Sequence, residues 1–233
     1  MKFEYPLTEG RLIRRYKRFL ADVELENGEM VTAHCMNSGS MMGLKEPGSR
    51  VWLSPATNPE AKLKWKWELV EAGDALVGIN TGHPNKLAEE AIESGRIPAL
   101  AGYQTIRREV KYGENSRIDL LLEDHDDASP AYVEVKNVTL KRKGAAEFPD
   151  AVTSRGAKHL RELARVAEAG KRAVMLYVAQ RGDCTHFTIA GDIDPGYAEA
   201  LELARAAGVE LLAFACAMST EEIRIEAPLE IRI

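Results

Sequence analysis

Residues 117–123, Arg-Ile-Asp-Leu-Leu-Leu-Glu, are followed after a polar loop by residues 131–136, Ala-Tyr-Val-Glu-Val-Lys; no other stretch constrains the fold as much. Centring the loop between Asp126 and Asp127 makes a hairpin. In it Ile118, Leu120 and Leu122 meet Val135, Val133 and Ala131 on one apolar face, because strand side chains alternate. The same register sets Asp119 across from Glu134, with Lys136 on the side of Glu134. Two carboxylates about 5 Å apart repel by roughly 3 kcal/mol at an effective dielectric of about 20. Such a pair calls for a proton, a cationic neighbour or a metal. It is either a metal site or a solvated salt-bridge cluster with Arg117 and Lys136, which would be worth little.

The order Asp119, then Glu134-Val135-Lys136, resembles the core of the PD-(D/E)XK nuclease superfamily. That resemblance implies a magnesium or manganese ion held by Asp119, Glu134 and the Val135 carbonyl, a donor set suited to a hard cation that keeps several waters. It gives Lys136 the task of orienting water or stabilising charge on a phosphate. It also implies an acid on the helix before the hairpin, for which Glu90 is the candidate and Glu89 and Glu93 are rivals.

Separated blocks carry a wider likeness: Arg15-Tyr-Lys-Arg-Phe-Leu-Ala-Asp22, His34-Cys35 with Asn37 and Gly39, Glu109-Val-Lys-Tyr-Gly113, Ser116-Arg-Ile-Asp119, Val133-Glu-Val-Lys136, and Phe148-Pro-Asp-Ala-Val-Thr153 followed by Arg155-Gly156 and Lys158-His-Leu-Arg-Glu-Leu163. Together they resemble the sugar fermentation stimulation protein A family. The resemblance implies DNA binding, an OB-like amino-terminal domain and a nuclease-like carboxy-terminal domain. Met36 and Ser38 stand where the family usually reads proline and threonine in Cys-Pro-Asn-Thr-Gly, a departure that bears on the rigidity of that loop. Two functions follow: a magnesium-dependent phosphodiesterase, or a non-enzymatic DNA-binding regulator of sugar-metabolism genes on a nuclease-like scaffold. DNA is favoured over RNA as the partner, and a homodimer would suit an enzyme acting on both strands.

Composition sets the outer bounds. With 233 residues, 45% apolar and 29% charged, the chain has the balance of a globular protein and length enough for two small domains. Three widely spaced cysteines without a CxxC suit a reducing cytoplasm and read as small core residues. No signal-like start and no apolar run near 18 residues is present, so neither secretion nor a membrane span is expected. A net charge of −5 works against phosphate binding, yet cations gather at residues 11–18, 62–66, 107–111, 141–143 and 155–172, so any nucleic-acid affinity should be salt-dependent.

Along residues 1–80 the pattern predicts five short strands: a long run over 11–26 turning at Asn27-Gly28, then 30–35, 50–53, 64–71 and 75–80, with breaks such as Pro47-Gly48 and Gly73-Asp74. That suits a small OB-like barrel. Arg14, Arg15, Lys17 and Arg18 are candidate phosphate contacts or an ordinary solvated face. Lys64 and Lys66 alternate with Trp65 and Trp67; either the tryptophans stack bases while the lysines follow phosphates, or they face the barrel core. From residue 81 the texture changes. A helix is expected from Pro84-Asn85 to about Ser94 with Asn85 as cap, and another from Thr153-Ser154 to near Gly170. By the resemblance, Arg155, Lys158 and His159 of that second helix hold phosphate near the metal. Buried strands at 173–179 and 209–215 flank a helix starting at Asp194-Pro195, and 223–233 reads as an edge strand. The expected fold is α/β (α+β overall): an OB-like β-barrel over 1–80, then a PD-(D/E)XK nuclease-like α/β domain with a mixed sheet over 81–233.

Overall fold

A computed structural model of the chain describes residues 1–58, 60–113 and 116–233. Its first part is a barrel of β1 (Thr8–Tyr16), β2 (Leu20–Leu25), β3 (Met30–Cys35), β4 (Arg50–Pro55) and β5 (Trp65–Ala72), with β6 (Ala75–Gly78) added beside β5. The strand order is β3-β2-β1-β4-β5-β6, and a parallel pairing of β3 with β5 closes the first five strands. Alternation decides what fills the interior: Leu12, Val23, Ala33, Cys35, Leu53 and Trp67 all point inward. The single extended run expected over residues 11–26 is two strands. Tyr16 pairs with Leu20, and the chain reverses through Lys17 (φ 49°) and Arg18 (φ 66°). Cationic side chains seldom take that left-handed backbone, and no glycine, proline or asparagine marks the turn.

The second part begins with α1 (Pro84–Glu93) and continues through β7 (Thr105–Tyr112), β8 (Ser116–Glu123), β9 (Ala131–Val138), β10 (Leu140–Arg142) and β11 (Ala145–Phe148). Then come α2 (Ser154–Glu168), β12 (Arg172–Ala179), β13 (His186–Ile189), α3 (Pro195–Ala206), β14 (Glu210–Met218), β15 (Ile223–Pro228) and β16 (Glu230–Ile231). The main sheet runs β15-β14-β12-β9-β8-β7, with β12 parallel to both β9 and β14 and the remaining pairs antiparallel. Its continuous apolar centre has a simple cause. Val174, Leu176 and Val178 of β12 face the core under α1, and Ala173, Met175 and Tyr177 face the core under α2 and α3. Thr153 caps α2 by accepting from the Gly156 N–H at 3.0 Å, and Asp194 caps α3 by accepting from the Tyr197 N–H at 3.0 Å.

A small sheet, β10-β11-β13-β16, has no counterpart in the sequence reading. The edge strand expected over 223–233 divides after Pro228, which can offer no N–H to a ladder: β15 edges the main sheet and β16 joins β13. Ile118 does not share a face with Leu120 and Leu122. It lies with Leu121 in the core under α2, because alternation breaks at Asp119, whose carboxylate is drawn to a backbone N–H, opposite Glu109 at φ 53°.

The two parts are joined by apolar packing. Trp52 and Leu69 of the barrel belong to the same cluster as Leu87 and Ala91 of α1 and Val133 of β9. A polar latch adds to it: the Asp150 carboxylate accepts from the Ser40 hydroxyl at 3.3 Å and the Met41 N–H at 3.2 Å. Gly39 is needed for that latch, since a Cβ there would stand 2.5 Å from Asp150 Oδ2. Gly39→Ala should therefore cost about 1–3 kcal/mol by overpacking and lower the thermal midpoint by roughly 2–10 °C, which differential scanning fluorimetry would read. An unchanged midpoint would mean the latch is not held in solution.

Candidate active site

Regular β8–β9 pairing sets Leu120 against Val133, Leu121 against Tyr132 and Leu122 against Ala131, the register expected from the loop centre. One step beyond that ladder, Asp119 replaces a backbone acceptor with its side chain. Its Oδ2 accepts from the Val135 N–H at 2.8 Å, and its Oδ1 accepts from the Asn85 amide at 3.0 Å. Asn85 was expected to cap α1. The cap position is instead His83, which makes no side-chain cap bond, and Asn85 in the first turn reaches across to the sheet.

Glu134 is 1% exposed, and its Oε1 accepts from Lys136 Nζ and meets His159 Nδ1. Its Oε2 is buried with no hydrogen-bond partner. Burial pushes the Glu134 carboxyl up, but the His159 bond and the Lys136 charge outweigh that and hold it below the ordinary range. Asp119 goes the other way: burial and then the Glu134 charge raise it, against the Val135 N–H, Lys136 and Asn85. Two neighbouring carboxyls pushed apart in this manner are frequent at functional sites.

Glu162 was not foreseen as part of this neighbourhood. It is 4% exposed on α2, its Oε2 has no partner, and Lys158 Nζ stands 3.7 Å from Oε1. Burial and then the charges of Glu134, Glu162 and Asp119 raise the Tyr112 hydroxyl, which is also buried without a partner. In the sequence Glu162 reads as one more charge on a solvated helix, and only the packing of α2 shows it turned inward beside Leu160 and Leu163.

The structure does not bring Glu90 to the pair. Its carboxylate is 2.7 Å from the Met1 ammonium and 3.8 Å from Lys86 Nζ, and Glu89 is engaged by Arg108. The helix thus supplies an amide to Asp119 rather than an acid. Among the described residues no three or more His, Cys, Asp or Glu side chains are grouped so as to hold a metal. A magnesium-type ion asks for less, since one or two carboxylates with waters suffice. The bare Glu134 Oε2 and an Asp119 carboxyl strained by its neighbour's charge fit that demand, with the Val135 carbonyl as the remaining oxygen.

The basic candidates fall into two groups. Arg155, Lys158 and His159 line a pocket of about 320 Å³ with Arg117, Ser116 and Glu109. In the barrel, Arg14 donates to Asp22 at 2.8 Å and lies over the Tyr16 ring, so part of its charge is spent locally. Arg15 donates to the carbonyls of Arg18, Asn37 and Gly39 at 2.9, 2.8 and 3.1 Å and acts as a brace for that loop. Lys17 is exposed at the turn, and Arg18 lines a cleft of about 290 Å³ between the two parts, with Asn37 and Ser38 on one wall and Asn137 and Asp150 on the other. Lys64 is exposed, and Lys66 donates to Thr57 at 3.4 Å. Trp67 is fully buried and Trp65 packs partly buried against the barrel core, so of the two readings of that strand the core one holds.

Residues 13–79 match the family model described as the SfsA N-terminal OB domain, and residues 82–222 match the one described as the sugar fermentation stimulation protein RE domain. The chain is 59% identical over 232 residues to the sugar fermentation stimulation protein homolog of Rhodospirillum centenum, covering 99% of each chain. It is 57% identical over 234 residues to the homolog of Maricaulis maris, covering 100% of this chain and 99% of that one. The solved structure of Pyrococcus furiosus SfsA in complex with Ca2+ superposes with a TM-score of 0.90 at 29% identity, covering 100% of this chain and 98% of that one.

Proposed function

The chain belongs to the sugar fermentation stimulation protein family, and from that premise we propose that it binds DNA and hydrolyses phosphodiester bonds with magnesium or manganese. The observation that carries this reading is the buried, unpartnered Oε2 of Glu134 beside Asp119 and Lys136. A buried acceptor left bare costs about 1–3 kcal/mol, which a cation there would offset. That the Pyrococcus furiosus relative was solved with Ca2+ supports a divalent cation in this fold.

A hard divalent cation would polarise a phosphate oxygen and lower the pKa of water at the site. Asp119 and Glu134 would hold it, with the Val135 carbonyl completing the protein's share. Lys136 neutralises Glu134 when the ion is absent and, released from it, can stabilise charge on the phosphate. Arg117, Arg155 and Lys158 bring positive charge to the pocket next to His159, where a flanking phosphate would sit. Arg18 and the cleft leading to Asn137 offer a path for the rest of the strand. No helix among the described residues is long and apolar enough to cross a membrane.

Incubating the purified protein with plasmid and single-stranded DNA, with and without magnesium or manganese, tests the reading. The expected result is cleavage that needs the ion and vanishes in Asp119→Ala. No cleavage under any condition, with retained salt-dependent gel shifts, would instead favour a DNA-binding regulator on a nuclease-like scaffold, and equal cleavage by Asp119→Ala would remove the site assigned here.

A further inference from the structure

We propose that His159 is a positioning residue whose Nδ1–H holds Glu134 Oε1, so that Glu134 presents Oε2 to a divalent ion. The inference rests on the metal reading above and departs from the expectation that His159 contacts phosphate.

Position comes first. The Thr153 cap starts α2, and Gly156 lets its first turn sit close: a Cβ there would be 2.9 Å from Thr153 and 3.1 Å from Tyr197. One turn after Arg155, His159 is 7% exposed against β9. Both of its ring nitrogens are committed. Nε2 lies 3.2 Å from Arg155 Nε, and Nδ1 meets Glu134 Oε1.

The chemistry of the partners then fixes the proton. The Arg155 Nε–H and the Lys136 ammonium can only donate, whereas the Glu134 carboxylate can only accept. Of these partners only Glu134 calls for a hydrogen from the ring, so the Nδ1 that meets its Oε1 is the donor. With Nε2 covered by Arg155 and Nδ1 by Glu134, no nitrogen is left for phosphate or for taking a proton from water.

Lys136 Nζ donates to the same Glu134 Oε1 and stands 3.3 Å from His159 Nδ1. Two donors on one oxygen fix the plane of the carboxylate and leave the other oxygen bare. Groups that orient a metal ligand in this way typically change ion affinity 10- to 100-fold when removed.

The test is calorimetric titration of Mn2+ into the full chain. Asparagine places an amide N–H near the location of Nδ1, whereas glutamine places one near Nε2. His159→Ala and His159→Gln should bind the ion about 10- to 100-fold more weakly, and His159→Asn should stay within about threefold of the unaltered protein. Nitrogen-15 spectra of the ion-free unaltered protein should show a hydrogen on Nδ1, a readout that needs no variant to fold. The proposal is overturned if His159→Ala binds Mn2+ as tightly as the unaltered protein, if the asparagine and glutamine variants behave alike, or if the spectrum shows no hydrogen on Nδ1. Failure of the unaltered protein to take up any ion would overturn the metal reading as well, and so separates the two.

Discussion

Asp119→Asn is expected to make the ion-free protein harder to melt while abolishing its response to divalent ions. The two effects share one cause. Burial and the neighbouring Glu134 charge raise the Asp119 carboxyl, so the folded state holds that proton more tightly than the unfolded chain does. Stability from this group is therefore present below the ordinary carboxylate pKa and is lost as pH rises through the higher folded value. At neutral pH the ionised side chain is a cost; asparagine removes it and offers its oxygen to the Val135 N–H, while its NH2 can donate to Asn85 once that amide turns its oxygen round. A gain of about 1 kcal/mol would raise the thermal midpoint by about 2–4 °C in a chain of this size. Ion affinity should fall by more than about a hundredfold and any ion-dependent cleavage by about a thousandfold, several kcal/mol of lost charge stabilisation. Melting curves with and without Mn2+ check both halves. A lower midpoint in the ion-free variant would identify Asp119 as a structural anchor and sink this account.

Trp67→Ala should produce the largest loss of stability, about 3–5 kcal/mol, with the midpoint falling by roughly 6–20 °C. The indole is fully buried in the barrel core and its Nε1–H donates to the Leu69 carbonyl at 2.8 Å. Truncation leaves a cavity and an acceptor without its donor. A base-stacking tryptophan would behave in the opposite manner, with fold stability intact and roughly 1–3 kcal/mol of nucleic-acid affinity lost. Urea unfolding together with fluorescence anisotropy on a labelled oligonucleotide distinguishes these outcomes.

The hairpin was legible over Leu120–Leu122, where apolar residues must meet Val133 and Ala131 on one side and so fix the register, but the break at Asp119 that sends Ile118 to the other face was not. Helix bounds were legible where chemistry marks them, as at Pro84, at Asp194-Pro195 and at Gly170 with φ 74°. What stayed hidden depends on partners distant in the chain. Adjacent helix residues differ by about 100° in direction, so Glu89 and Glu90 cannot be ranked until Arg108 and the Met1 ammonium are placed. Asn85 has the composition of a cap, and only the fold shows Asp119 within its reach. Glu162 resembles one more charge on a solvated helix until the rotation of α2 turns it inward, and the Lys17-Arg18 reversal carries no turn residue at all.

Trp52 and Leu69 share a single oily seam with α1 and β9, so the barrel is no interchangeable module. Excised from its neighbour, each half would carry a raw apolar scar and a tendency to clump. Lineages carrying this architecture would accordingly be held to inheriting both halves together, and any swap of one for a foreign counterpart would have to redesign the seam on both sides.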